Sequence, residues 1–434
     1  MMHHTLPPLP EDSLGNALKI SAELIAQVVE GSTLTDALAA LGASQPQLSP
    51  GTRGAVLDLT YSTLRDCGRQ DFILSKLLHK PLPEPIQSLL RVALHRLEVR
   101  PEQAHTVVDQ AVNAAAHLLK GNFKGVVNGV LRNALRQTDS LRAAANQDMM
   151  AEHRHPAWWI RRLRQQYPDD WRDILRAGNS HPPMALRVNA LRSDIDEVQE
   201  MLAAASHPTR ELANGALVLE RPVPVQRLPG FSEGCYSVQD AGAQAAARYL
   251  DVHDGQRVLD ACAAPGGKTC HILEQADVQL TALDTDPARA RRIRENLDRL
   301  GLDAQVKAVD CRHVEQWWDG QAFDRILADL PCSASGVVRR NPDIKWLRRS
   351  EDISRFAALQ AEILDQLWQV LAPGGKMLYV TCSVFAEENH AQIAAFADRH
   401  PDCRRLPIDG QTDCQYLPCA DHDGFFYALV EKQA

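Results

Sequence analysis

The feature that most constrains this chain is the regular alternation of short apolar runs and helical segments from Arg257 onward. Val258–Ala261, Gln279–Leu283, Gln305–Val309, Arg325–Ala328 and Lys376–Val380 read as strands, and the segments between them have helical spacing. Such alternation predicts a parallel sheet with right-handed crossovers, ordered three-two-one-four-five. Ligands of that architecture lie beyond the carboxyl ends of the strands. The first strand runs into Cys262-Ala263-Ala264-Pro265-Gly266-Gly267 and a helix restarts at Lys268, which makes a Rossmann-like turn. A phosphate-binding P-loop fits only in part, because Cys262 stands at its first glycine. The dinucleotide pattern G-x-G-x-x-G is absent.

Polar residues recur at the strand ends: Asp260, Asp284, Asp310, Asp329, Cys332 and Cys382. Asp284 follows the glycines at the interval that suits a ribose-binding acid, and Asp310 is placed for an adenine amine. Lys268 is the one basic residue of the turn, which suits a cofactor without polyphosphate, namely S-adenosylmethionine. In the expected strand order Cys332 and Cys382 face one space. A thiolate there adds to C6 of a cytosine and makes C5 nucleophilic, which is covalent catalysis. Asp329 is the candidate for the pyrimidine N3/N4 edge.

The residues before Gln137 read as helix throughout: Ala17–Glu30, Leu34–Leu41, Arg53–Arg65, Asp71–Leu78, Pro85–Glu98 and Ala104–Leu119. Between them and the alternating region, helices at Trp158–Tyr167 and Trp171–Ala177 precede a strand at Met184–Ala190, a helix at Ile195–Ala205 and a strand at Ala216–Leu219. Three domains are therefore expected: helical over 1–140, small α/β over 141–232 and Rossmann-like α/β over 233–434. Ten cysteines without regular spacing fit a reducing cytoplasm. No apolar stretch approaches the ~18 residues of a membrane span. No C-x-x-C pair supports a metal site, and none is expected. A net charge of −8 argues against a protein coated in nucleic acid, but leaves room for a local basic surface.

Ser335–Ser350 supplies such a surface, with Arg339, Arg340, Lys345, Arg348 and Arg349 around Trp346. These are the candidate RNA contacts, with the aromatic ring as a base-stacking platform.

The motif at 260–269, Asp-Ala-Cys-Ala-Ala-Pro-Gly-Gly-Lys-Thr, resembles the cofactor motif of the NOL1/NOP2/Sun family of RNA cytosine-C5 methyltransferases. So do Asp329-Leu330-Pro331-Cys332-Ser333 and Thr381-Cys382-Ser383 with Glu387-Glu388-Asn389. The resemblance implies that Cys382 is the nucleophile, that Cys332 assists product release, and that Asp329 and Lys268 belong to the same centre. It places cofactor contacts on Cys262–Lys268, Asp284, Asp310 and Asp329. Leu330 departs from the family, which carries a small residue there. Residues 122–133, ending the helical region, resemble the closing helix of the NusB fold. The middle segment corresponds to an RRM-like subdomain that helps grip RNA, with Arg187 and Asn189 in its R-V-N motif. Together these features imply a monomeric cytoplasmic enzyme that methylates C5 of a cytosine in 16S ribosomal RNA, cytosine 967 in the branch with a NusB-like domain, and that acts on neither DNA nor membranes. A noncatalytic RNA-binding or antitermination factor is the alternative; a P-loop NTPase is disfavoured by Cys262.

Overall fold

The computed structural model describes residues 7–434, which divide into two compact units. One contains the residues up to Ser180 together with Val338–Ser350; the other contains His181–Val337 and Glu351–Ala434.

The first unit is all helix. Three of its longer helices begin where side-chain acceptors meet otherwise unpaired N–H groups. The Asn16 N–H donates to Ser13 Oγ at 3.1 Å, the Asp36 N–H to Thr33 Oγ1 at 3.1 Å, and the Thr52 N–H to Ser49 Oγ at 3.2 Å. The helices Leu14–Val29, Pro50–Leu77, Glu84–Val99 and Ala104–Ala116 bury one apolar core that includes Leu18, Leu24, Leu64, Leu90 and Val107. The two helices expected at Arg53–Arg65 and Asp71–Leu78 are one continuous element, Pro50–Leu77. The intervening Asp66–Gln70 is polar but does not break the helix. Arg69 Nε and Gln70 Nε2 donate to the Glu98 carboxylate at 3.1 and 2.8 Å, so the helix runs on through a satisfied polar patch.

The second unit opens with a four-stranded antiparallel sheet of β1 (Ala185–Val188), β2 (Thr209–Glu211), β3 (Leu217–Leu219) and β4 (Tyr236–Val238), ordered β2-β3-β1-β4. The helix Ile195–Ala204 starts with a capping box between Asp194 and Glu197. Residues 141–180 belong to the helical unit, and β4, beyond 232, pairs with β1.

The larger sheet contains β5 (Arg257–Asp260), β6 (Gln279–Asp284), β7 (Gln305–Ala308), β8 (Phe323–Asp329), β9 (Leu371–Thr381), β10 (Cys403–Leu406), β11 (Cys414–Tyr416) and β12 (Phe425–Lys432). Its order is β10-β12-β9-β8-β5-β6-β7, with β11 also on β12. Strands β7-β6-β5-β8-β9 are parallel and carry the expected three-two-one-four-five order. β12 closes the sheet antiparallel to β9. Successive residues of a strand face opposite sides, and both sides are covered. Val258, Leu280 and Leu378 pack with Ile272 and Ile293, whereas Leu259, Leu283 and Met377 pack with Ile363 and Leu367. The Asp286 side chain caps the helix Pro287–Leu300, with Pro287 at its first position and Gly301 at its end.

Candidate active site

The carboxyl ends of β5, β8 and β9 converge on the two cysteines. The parallel ladder from Arg325–Lys376 to Asp329–Val380 holds β8 and β9 side by side, and each cysteine follows where its ladder ends. Cys332 Sγ lies 3.4 Å from Cys382 Sγ. Cys332 is buried and Cys382 is partly exposed, so the partly open thiol is the one able to meet a substrate. The neighbouring Cys382 thiol and burial both push the Cys332 thiol well above its usual pKa, which keeps it protonated at neutral pH.

Lys268 Nζ donates to Asp329 Oδ2 at 2.6 Å. Burial alone would lower the Lys268 pKa, but the Asp329 carboxylate outweighs it and the Cys382 sulfur adds to the rise. The lysine therefore stays a fixed cation between the glycine turn and the thiols.

Gly266 begins the helix Gly267–Gln275 with φ 98°, a left-handed conformation that glycine adopts without strain. A Cβ at this position would stand 3.1 Å from Ile293 Cα, so the turn is also pressed against a neighbouring helix. Asp284 is buried and ties the same turn down: its Oδ2 accepts from the Ala264 N–H at 3.2 Å, and its Oδ1 from the Asp286 N–H at 3.1 Å. Each oxygen keeps a second lone pair. Asp260, at the end of β5, accepts from Thr269 Oγ1 at 2.7 Å through Oδ2. Its Oδ1 is buried without a hydrogen-bond partner among the described residues, and burial pushes its pKa up to about 7. A glycine cradle beside an unsatisfied carboxyl oxygen and two further acids fits a ligand rich in hydroxyl and amine donors.

Other expected residues sit differently. The Asp310 carboxylate is taken up by Arg312, whose Nη2 lies 2.8 Å away and holds its pKa below the usual range. Cys262 packs in the apolar layer of Leu259, and the Cys311 thiol together with burial raises its pKa well above the ordinary value. Leu330 belongs to the same layer as Ile363 and Tyr379, so the larger residue fills the core of the sheet.

The expected RNA contacts are largely turned inward. Lys345 is fully buried and donates to Arg65 O, Arg154 O and Asn179 Oδ1 at 2.9, 3.0 and 2.8 Å. Trp346 Nε1 donates to Leu64 O at 2.7 Å, and its ring packs against the helical core. Arg339 is buried, and its carbonyl accepts from Arg65 Nη2 at 2.7 Å. Arg187 is buried in β1 and pairs with Glu274. Asn189 is buried, donating to Gly234 O at 3.0 Å and accepting from the Leu191 N–H at 3.1 Å. The side chains of Lys345, Trp346, Arg187 and Asn189 thus spend their polar atoms inside the protein, as does the Arg339 carbonyl. Arg340, Arg348 and Arg349 remain partly or wholly exposed. What the sequence left unread is the carboxylate of Glu388, on which Ser333 and Ser383 converge. Its signal was its place in Glu387-Glu388-Asn389, the stretch that accompanies Thr381-Cys382-Ser383 in the family resemblance, which carried no role for it.

Residues 247–431 match the family described as 16S rRNA methyltransferase RsmB/F, residues 155–226 the ferredoxin-like domain of RsmF/B-like methyltransferases, and residues 16–136 the NusB family. Ribosomal RNA small subunit methyltransferase B of Vibrio cholerae serotype O1 is 44% identical over 427 residues, which cover 96% of this chain and 98% of that protein. Among solved structures, PH0851 superposes with a TM-score of 0.81 at 23% identity, covering 98% of this chain and 100% of its own, a likeness of fold. A methyltransferase homologue from Pyrococcus horikoshii is 27% identical with a TM-score of 0.58, covering 65% of this chain and 97% of its own.

Proposed function

The chain belongs to the 16S rRNA methyltransferase RsmB/F family, and from that membership and the paired thiols we propose that it methylates C5 of a cytosine in small-subunit ribosomal RNA through a covalent adduct on Cys382. The observation that carries this reading is the 3.4 Å separation of Cys332 Sγ and Cys382 Sγ at the ends of adjacent parallel strands. Bound S-adenosylmethionine supplies the methyl group from an electrophilic sulfonium. The turn 262–268 with Asp284 and Asp329 would hold it; Asp310 would join them only by sharing its carboxylate with Arg312.

Cytosine C5 is too weak a nucleophile to accept a methyl group unaided. The Cys382 thiolate bonds to C6, and the electrons of the C5–C6 double bond become available at C5. After C5 is methylated, its proton passes to a base. The C–H electrons re-form the double bond while the Sγ–C6 bond breaks and the thiolate leaves. Cys332, protonated beside the leaving sulfur, assists that release. Asp329 receives the N3/N4 edge of the ring, and Lys268 keeps this carboxylate in place. Arg340, Arg348 and Arg349 supply positive charge for the RNA backbone.

The test separates the two thiols. Cys382→Ala should abolish methylation and keep cofactor binding. Cys332→Ala should accumulate a protein–RNA adduct that survives a denaturing gel. A Cys332→Ala enzyme that turns over normally and traps nothing would overturn the division of labour. Bisulfite mapping of ribosomal RNA from cells lacking the gene checks the target base.

A further inference from the structure

Adjoining the two thiols is a buried carboxylate that the methyl-transfer reading leaves without a task. Glu388 is fully buried. Its Oε1 accepts from the Ser333 N–H at 2.7 Å, and its Oε2 accepts from Ser333 Oγ at 2.5 Å and Ser383 Oγ at 2.6 Å. Ser333 directly follows Cys332 and Ser383 directly follows Cys382. The preceding residues are anchored nearby. Gln360 Nε2 donates to Pro331 O at 3.0 Å and reaches Glu388 Oε1 at 3.4 Å. Thr381 Oγ1 donates to Asn389 Oδ1 at 2.6 Å, and Asn389 Nδ2 donates to Ser383 O at 2.9 Å. Tyr379 OH completes the frame by donating to the Glu388 carbonyl at 2.5 Å. Each cysteine is thus gripped on both sides.

A buried carboxylate is costly unless its lone pairs are filled, and here several donors fill them. The donors come from two loops that share no covalent link for about fifty residues, and the carboxylate is where they join. We propose that Glu388 is a positioning residue that fixes the spacing of Cys332 and Cys382, one side chain holding the residue that follows each thiol. The proposal rests on the two-thiol reading of the site. Glu388 touches no reacting atom, so its effect passes through the loops.

The experiment compares Glu388→Asp, which keeps the charge but is one methylene shorter, with Glu388→Gln, which keeps the length. The full-length protein is assayed for methylation and for S-adenosylmethionine binding, whose stoichiometry gives the folded fraction. A second readout needs no RNA: diamide takes two electrons and two protons from the thiol pair to form the Cys332–Cys382 disulfide, followed by mass spectrometry. A misplacement of about 1 Å in a reacting group costs on the order of 100-fold. Per folded molecule, Glu388→Asp should lose about that factor in kcat, with KM for S-adenosylmethionine unchanged and disulfide formation slowed. Glu388→Gln should fall between it and the parent, because the serine hydroxyls can reverse to accept from an amide. The proposal is overturned if kcat tracks only the folded fraction, or if the disulfide forms at the parent rate in both variants. Methylation that survives in Cys382→Ala would instead overturn the two-thiol reading, and the disulfide assay would still report on Glu388.

Discussion

Arg187 of β1 and Glu274 of the helix Gly267–Gln275 form a buried two-point ion pair, Nη2 to Oε1 at 2.7 Å and Nε to Oε2 at 3.0 Å. Arg187 Nη1 also donates to the Gly267 carbonyl at 2.9 Å, so the small antiparallel sheet is bolted to the helix that begins at the glycine turn. Removing one partner strands the other charge. Arg187→Met should cost about 3–5 kcal/mol in denaturant unfolding, and Arg187→Met with Glu274→Met should recover most of it. A single variant that matches the double would show the pair to be unimportant.

Lys345 separates a structural role from an RNA contact. Lys345→Met leaves three acceptors without their donor and should destabilise the protein by about 2–4 kcal/mol. The dependence of RNA affinity on salt should stay unchanged, because no phosphate contact is lost. Arg349→Ala, at an exposed position, should do the reverse: little change in stability and a shallower salt slope.

Gly68 tests the packing around Trp346. A Cβ there would stand 2.9 Å from Trp346 Cη2 and 3.1 Å from Met150 O. Gly68→Ala must displace either the ring or the backbone, and should lower stability by about 1–3 kcal/mol despite its better helix propensity. Differential scanning calorimetry would check it.

Asp260 should imprint itself on the pH dependence of stability. Its folded pKa of about 7 lies above the ordinary 3.8 because burial disfavours the charge. Below the ordinary value both states are protonated. Between the two values the unfolded chain has released its proton and the folded chain has kept it, so stability from this group falls as pH rises and levels off above about 7. Asp260→Asn lacks that loss. Its unfolding midpoint relative to the parent should therefore improve from about pH 5 to about pH 8. A constant offset between the two proteins would refute the assignment.

The strand ends were legible because their chemistry is contiguous in sequence. Asp260 through Lys268, Asp329 through Cys332, and Thr381 through Ser383 each span a strand terminus and its turn, and the alternation around them sets the sheet order. The inward placement of Lys345 and Trp346 in the basic segment is illegible for the opposite reason. A run of arginine, lysine and tryptophan looks the same whether its donors meet phosphates or carbonyls, and the Arg65 carbonyl that takes Lys345 is 280 residues away. The ion pair of Arg187 escaped notice on the same ground, its partner being 87 positions on. β2 and β4 have three residues each and lack the apolar run that marks the equally short β3.

The loan of Val338–Ser350 to the helical unit bears on how the protein can be taken apart. A truncated chain starting at His181 would retain every strand and both thiols of the cysteine pair. It would also carry an orphaned peptide whose tryptophan and lysine had their housing in the discarded part. Dissecting this protein by cutting at a single bond therefore yields a fragment with a solubility problem, and swapping its front module for another would require rewriting a stretch near the far end of the gene as well.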